Sequence, residues 1–323
     1  MAKSLRIFTD LTLQPEIVAR LREGVAPNPL VMAEEPIRSV LGASDCSLEG
    51  VHIAFGQPGV RQVLESSTLR WVHVASAGYT RYDTPEFWAA ARKRGLLFTN
   101  SSSVYARPCA EQLFSYMLAQ ARQLPRSLDT RCANGSPEWL ALRRDCSLLH
   151  GQSVLMLGFG AIARALVRML EPFEMRITAL RRQPKGDEPV AIIDEAGLPA
   201  ALTGADHVIN ILPSSPVTDG FMTEERFAQM KPGAVFYNMG RGTTVDQVAL
   251  DRALRSGHLA AAWLDVTDPE PLPDEHPLRH LPNCFITPHV GGGHHGEYDS
   301  LVNHFLANYR RFVNGEPLLD RVL

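Results

Sequence analysis

"SVLMLGFGAIARAL", residues 153–166, decides the fold. It opens with an apolar run of strand length, turns through two glycines, and continues with apolar residues at helical spacing. The pattern is Gly158-x-Gly160-x-x-Ala163. The first glycine permits a tight turn, and the second lets the backbone approach a pyrophosphate. The third position needs a small side chain so that helix and strand can pack, and alanine is small enough. The helix start, at Ala161 and Ile162, offers oriented N–H donors to phosphate oxygens. A lone glycine turn is weak evidence. Set between a strand and a helix, it reads as a dinucleotide site rather than a purely structural bend.

The pattern extends in both directions. Downstream, "MRITAL" (175–180), "DHVINILP" (206–213), "GAVFYNMG" (233–240), "LAAAWLDV" (259–266) and "NCFITP" (283–288) read as strands, with helices near 222–230 and 246–257 between them. Upstream, "LRIFTD" (5–10), "VHIAFG" (51–56), "LRWVHVAS" (69–76) and "LLFTN" (96–100) are strand-like. Helices are expected at 15–24 and 85–95, each opened by proline and closed by glycine, and a longer one at 107–125. The expected fold class is α/β, with two doubly wound parallel-sheet domains. The last helical stretch, "EYDSLVNHFLANYRRFVNGEPL", comes too late for the second sheet and is expected to cross back onto the first domain.

An acidic residue that accepts the adenosine ribose is expected at the end of the second strand, roughly 20 residues after the glycine turn. "TALRRQPK" (178–185) instead offers Arg181 and Arg182, with no carboxylate before Asp187. A carboxylate would repel a 2′-phosphate, whereas arginine pairs with one through charge-assisted bonds. The two arginines therefore read as selectors of NADP(H), with NAD(H) as the second cofactor. The alternative is a solvated basic turn.

Composition bounds the rest. The 323 residues suit two domains, and a 45% apolar fraction suits a globular chain. A net charge of −3 without a basic stripe argues against nucleic acid as partner. No apolar run reaches the roughly 18 residues of a membrane span. "MAKSLRIFTD" is not read as a leader. Five scattered cysteines, never in a CxxC pair, favour free thiols and a cytoplasmic location. His294 and His295 are adjacent and read as loop residues, so no metal site is expected.

Three later stretches carry chemistry. "NMGRGTTVD" places Arg241 after a strand, "LDVTDPEPLPDEHPL" places Asp265 at a strand end with Glu270 beyond it, and "ITPHVGGGHHG" places His289 after another strand. All lie at carboxyl ends of strands, where open α/β sheets bind ligands.

With "SAGYTRYD", "GFGAIA", "NMGRGTTVD", "LDVTDPEPL", "TPHVGG" and the closing "NGEPL", nearly the whole chain resembles the D-isomer-specific 2-hydroxyacid dehydrogenases. "RRQP" and "LDVTDPEPLPDEHPL" are most similar to the glyoxylate/hydroxypyruvate reductase branch, which prefers NADPH. The resemblance implies a flavodoxin-like substrate domain (1–101 plus 289–323), a Rossmann-type nucleotide-binding domain (102–288) and a cleft between them. It assigns the substrate's carboxylate and keto oxygen to Arg241, the general acid to His289, and the orientation of its imidazole to Glu270. Hydride attack on a ketone builds negative charge on oxygen, which a fixed arginine and a proton donor relieve. By the same resemblance Ala77 and Gly78 hold the substrate carboxylate through backbone N–H groups, Asp265 lies beside the nicotinamide carboxamide, and Pro213, Met239 and Gly291 line the cofactor. A homodimer paired near 107–145 is implied, with Trp139 in the region from which a partner's tryptophan can reach the pocket.

The sequence departs from the pattern at Ala163, at Tyr79, where the family usually has a smaller aliphatic residue, and in "GGGHHG". These leave the substrate open. The expected reaction is reduction of a small 2-keto acid, glyoxylate or hydroxypyruvate, with NADPH. The alternatives are a bulkier 2-keto acid or a non-enzymatic, nucleotide-sensing protein like the family's corepressor branch. A phosphoglycerate dehydrogenase is disfavoured because no regulatory domain follows residue 323, and a formate dehydrogenase because that branch has glutamine in place of Glu270.

Overall fold

The computed structural model describes residues 4–37 and 42–323; residues 1–3 of the N-terminal stretch read above lie outside the described residues. The chain divides into two units, Met1–Tyr105 with Gly293–Leu323, and Ala106–Gly292.

The first unit holds β1 (Ile7–Leu11), β2 (Leu30–Ile37), β3 (Ile53–Gly56), β4 (Trp71–Val74) and β5 (Leu97–Thr99). All pair in parallel, in the order β2-β1-β3-β4-β5, the flavodoxin-like arrangement. β3 and β4 are buried along their whole length, because a parallel sheet is covered by helices on both faces. β2 was not read from sequence. "LVMAEEPI" has two glutamates and a proline and is only half-buried, as an edge strand tolerates. Helix Pro15–Val25 runs past Gly24, whereas helix Pro85–Arg94 ends at Gly95 with φ 65°, as expected.

The C-terminal helix, Glu297–Asn314, returns to this unit. Phe305 on its inner face stacks on Phe55 at 4.4 Å and on Trp71 at 5.4 Å between centroids. The crossing back expected from its position in the sequence is found.

The second unit holds β6 (Ser153–Leu157), β7 (Arg176–Leu180), β8 (Ala191–Ile193), β9 (His207–Asn210), β10 (Val235–Asn238), β11 (Ala261–Leu264) and β12 (Cys284–Ile286). Its order, β12-β11-β10-β9-β6-β7-β8, is all parallel and reverses direction between β6 and β9. That reversal is the Rossmann switch point. Three-residue β8 escaped the sequence reading because it is short and has no fully buried residue.

The long helix also differs from expectation. It spans Ser102–Ala121, with Pro108 inside rather than near its start. Proline removes one helical bond, but Ala110, Leu113 and Met117 beyond it are fully buried, and that packing outweighs the local cost. The helix breaks before 125, at Gln123 with φ 52°, and a second short helix, Leu124–Thr130, follows.

Candidate active site

The glycine turn lies at the end of β6. Gly158 has φ 97°, a conformation that side chains resist, and its N–H donates to Leu180 O. At Gly160 a Cβ would meet no atom within 4 Å, so open space lies against the backbone there. Helix Ala161–Leu170 starts at Gly160 with no side-chain cap, and Ala163 is fully buried against the sheet. An uncapped helix end facing open space fits an anionic pyrophosphate. Beside it is a cavity of about 460 Å³ lined by Gly158, Arg181, Arg182, Asp194, Pro213 and Val217.

The two arginines read together from sequence have different surroundings. Arg181 folds inward: Nε donates to Gln183 O at 2.9 Å, Nη1 donates to Phe159 O at 2.9 Å, and Nη1 lies 3.0 Å from Glu188 Oε1. Glu188 also accepts from the Lys185 and Gly186 amides, which hold its carboxyl below the usual range, so the loop closes on itself. Asp187 turns away to Arg164 at 2.6 Å. Arg182 is exposed and makes no ion pair among the described residues.

At the far side of the switch point, the ends of β10, β11 and β12 bring Arg241, Asp265, Glu270 and His289 into one unit. Glu270 Oε1 accepts from His289 Nδ1 at 2.5 Å. Arg241 follows β10 directly. Its Nη1 donates to Gly240 O at 2.6 Å, and its carbonyl accepts from Asn238 and Thr244. Burial pulls the guanidinium down from its ordinary range while the nearby Glu270 charge opposes the shift. Cys109 is close enough to feel Arg241 and Asp265, but burial pushes its thiol up to about 12, so it is an inert neighbour.

His289 has φ 51°, a left-handed backbone uncommon for a residue with a side chain. Its loop is braced from below by Asp265, which is only 2% exposed. Oδ1 accepts from Thr287 Oγ1 at 2.6 Å and Val290 N at 3.0 Å, and Oδ2 accepts from Gly291 N at 2.9 Å. His289 N donates to the Asp265 carbonyl at 2.9 Å. Gly291 is the residue this contact requires, since a Cβ there would fall 2.5 Å from Met239 Sδ and 2.8 Å from Asp265 Oδ2. Residues expected to line a cofactor thus meet each other: Asp265, Met239 and Gly291 form one packed contact.

In the first unit, Ala77 and Gly78 follow β4, and both carbonyls are tied down. Asn100 Nδ2 donates to Ala77 O at 2.8 Å, and Ser76 Oγ donates to Gly78 O at 2.6 Å. Gln57 Nε2 donates to Ser76 Oγ at 2.8 Å, and the Gln57 amide donates to buried Asp10 Oδ1 at 2.9 Å. Tyr79 packs edge-on to Trp88 and Phe98, at 6.0 and 6.3 Å, so it belongs to the apolar cluster of this unit. Trp139, half-buried in helix Pro137–Asp145, lies under the Arg143 guanidinium at 4.7 Å.

Sequence reasoning missed Asp10, Gln57, Asn100 and Thr287. Asp10 and Asn100 close strand-like runs, and that position is the one signal that could have found them.

Residues 114–291 match the family described as D-isomer specific 2-hydroxyacid dehydrogenase, NAD binding domain. The chain is 35% identical over 233 residues to the human glyoxylate reductase/hydroxypyruvate reductase, covering 70% of each chain. It is 31% identical over 267 residues to the glyoxylate reductase of Pyrococcus furiosus, covering 79% of this chain and 76% of that one. Among solved structures, the D-isomer specific 2-hydroxyacid dehydrogenase from Xanthobacter autotrophicus Py2, in complex with NADPH and MES, superposes with a TM-score of 0.78 at 27% identity, covering 100% and 98% of the two chains. With a Rossmann unit of seven parallel strands carrying Arg241, Glu270 and His289 at its strand ends, this chain belongs to the D-isomer specific 2-hydroxyacid dehydrogenases, a family of oxidoreductases.

Proposed function

We propose that this dehydrogenase reduces a small 2-keto acid, glyoxylate or hydroxypyruvate, to the D-2-hydroxy acid, drawing on NADPH. The observation that carries the reading is the His289–Glu270 contact at 2.5 Å, on a loop braced by a buried aspartate. It is supported by one relative named for both substrates, a second named for glyoxylate, and a solved relative in complex with NADPH.

The nucleotide supplies a hydride when bound; the chain supplies the rest. With Nδ1 engaged by Glu270, Nε2 of His289 is the nitrogen that protonates the reduced oxygen. Glu270 holds the ring in place and balances the imidazolium charge. Arg241, half-buried and cationic, binds the substrate carboxylate and draws on the keto oxygen as charge builds there. Within the first unit, the Ala77 and Gly78 amides are the donors proposed for a substrate carboxylate, their carbonyls being fixed by Asn100 and Ser76. In the cofactor loop, Arg182 carries the preference for a 2′-phosphate, while Arg181 and Glu188 shape the loop that presents it. A homodimer paired through 107–145 fits the exposed leucines Leu124, Leu128 and Leu140 in that segment. The free cysteines fit a cytoplasmic location.

The test is initial-rate reduction of both keto acids with NADPH and NADH. His289→Ala lowers kcat by about 10²–10⁴-fold, the range of a lost general acid. Arg182→Ala raises the KM for NADPH by about tenfold and leaves NADH unchanged, as loss of one charge-assisted phosphate contact requires. Turnover retained in His289→Ala refutes the assignment of the acid. Equal use of both cofactors by the parent makes "RRQP" a structural turn.

A further inference from the structure

The loop that carries His289 is tied to the long helix Ser102–Ala121 by side chains distant in sequence. Tyr116 Oη lies 2.5 Å from Thr287 Oγ1. Gln112 Nε2 donates to Tyr116 Oη at 2.8 Å. Thr287 Oγ1 donates to Asp265 Oδ1 at 2.6 Å. These contacts permit one proton arrangement. A carboxylate can only accept, so the Thr287 hydroxyl proton goes to Asp265. The Thr287 oxygen must then accept the Tyr116 proton, and the Tyr116 oxygen accepts from the Gln112 amide. Every donor points toward Asp265, so each bond polarises the next onto a buried anion.

The middle of the chain is enclosed, while Gln112 and Thr287 are half-buried. Tyr116 is 5% exposed and Trp263 7%. The Tyr116 ring stacks on Trp263 at 4.9 Å, and Trp263 stacks on Phe285 at 4.3 Å. Trp263 Nε1 donates to Gln120 Oε1 on the same helix, one turn beyond Tyr116. The helix therefore grips β11 through Trp263 and the residue that follows β12 through Thr287, with Phe285 of β12 packed on Trp263.

We infer that Gln112, Tyr116 and Thr287 are positioning residues for the reaction: their donor chain fixes the Asp265 carboxylate, which fixes the backbone from Thr287 to Gly291 and so the direction of His289. This rests on the reading of His289 as the acid. None of the three is a substrate contact. They act through the strained turn at His289, where φ is 51° and small relaxations reorient the imidazole. Losing the chain slows the proton-transfer step without weakening substrate binding.

The test compares Tyr116→Phe, Thr287→Val and Thr287→Ser with the parent and with His289→Ala. Tyr116→Phe keeps the buried ring and its stacking, so the fold is preserved while one donor is lost. Two readouts are taken: kcat and KM for glyoxylate, and hydrogen–deuterium exchange of the segment spanning 285–293. Tyr116→Phe and Thr287→Val lower kcat by about tenfold with KM within about twofold, the rate equivalent of one buried hydrogen bond. Both speed exchange at Val290 and Gly291, and Thr287→Ser restores both readouts. The inference is overturned if Tyr116→Phe retains the parent kcat and exchange, or if Thr287→Val and Thr287→Ser behave alike. A fully active His289→Ala would remove the functional reading instead, and the exchange data would still decide whether the donor chain holds the loop.

Discussion

Two buried aspartates, one in each unit, stand under the two loops that carry the proposed chemistry, and they are satisfied differently. Asp265 follows β11 beneath the His289 loop and accepts from Thr287, Val290 and Gly291, using both oxygens. Asp10 lies in β1 and holds the Gln57 amide through Oδ1, at the head of the chain that reaches Ser76 and Gly78. Its Oδ2 has no hydrogen-bond partner among the described residues, and burial pushes the carboxyl up to about 6. Burial alone therefore does not determine what a carboxylate does. Asp265 is an anchor because the loop supplies donors to it. At Asp10 burial outweighs the Gln57 amide, the Arg81 charge and the Ser44 hydroxyl that favour its ionised form, so near neutral pH its charge is a cost carried by the unit.

The largest effect expected from this difference is at Asp265. Asp265→Ala leaves Thr287 and two loop amides without their acceptor and lowers kcat by about 10³-fold, with a stability loss of roughly 3 kcal/mol. Steady-state rates and thermal melts check both. A kcat near that of the parent would mean the loop holds His289 without its anchor, and the contrast with Asp10 would collapse.

Asp10 gives an effect of opposite sign. A carboxyl whose folded-state pKa stands above its unfolded value of 3.8 favours the fold at low pH, and that contribution is lost as pH rises through about 6. Asp10→Asn keeps an acceptor for the Gln57 amide and removes the charge. It stabilises the protein at pH 8 by about 2 kcal/mol, and the gain shrinks toward pH 5, where the parent carboxyl is largely protonated. Melts at the two pH values read this. Destabilisation at pH 8 would show that the charge is needed, with the Arg81 field as its support.

The smallest effect separates binding from reaction. Ser76→Ala frees the Gly78 carbonyl and loosens the amides proposed to hold the substrate carboxylate. KM for the keto acid rises about threefold at constant kcat, the cost of one neutral hydrogen bond. Tyr116→Phe gives the opposite split. If both variants changed the same parameter, the two loops would not have separate tasks.

The sequence by itself determined the α/β class, the glycine turn, the return of the last helix, and the strand-end positions of Arg241, Glu270 and His289. These are local signals, because apolar period and turn residues are written within a window of a few residues. The edge strands β2 and β8 were not legible: both are short of buried residues, and only pairing with β1 and β7 makes them strands. "RRQP" showed two equal arginines, and the fold made them unequal by bringing Glu188 onto Arg181. Tyr116 lies inside the helix expected at 107–125 but carried no signal of its own role, since its partner Thr287 is 171 residues away. Tertiary structure alone decided these pairings. A buried polar group must find a donor or acceptor wherever packing supplies one, and sequence spacing does not encode where that is.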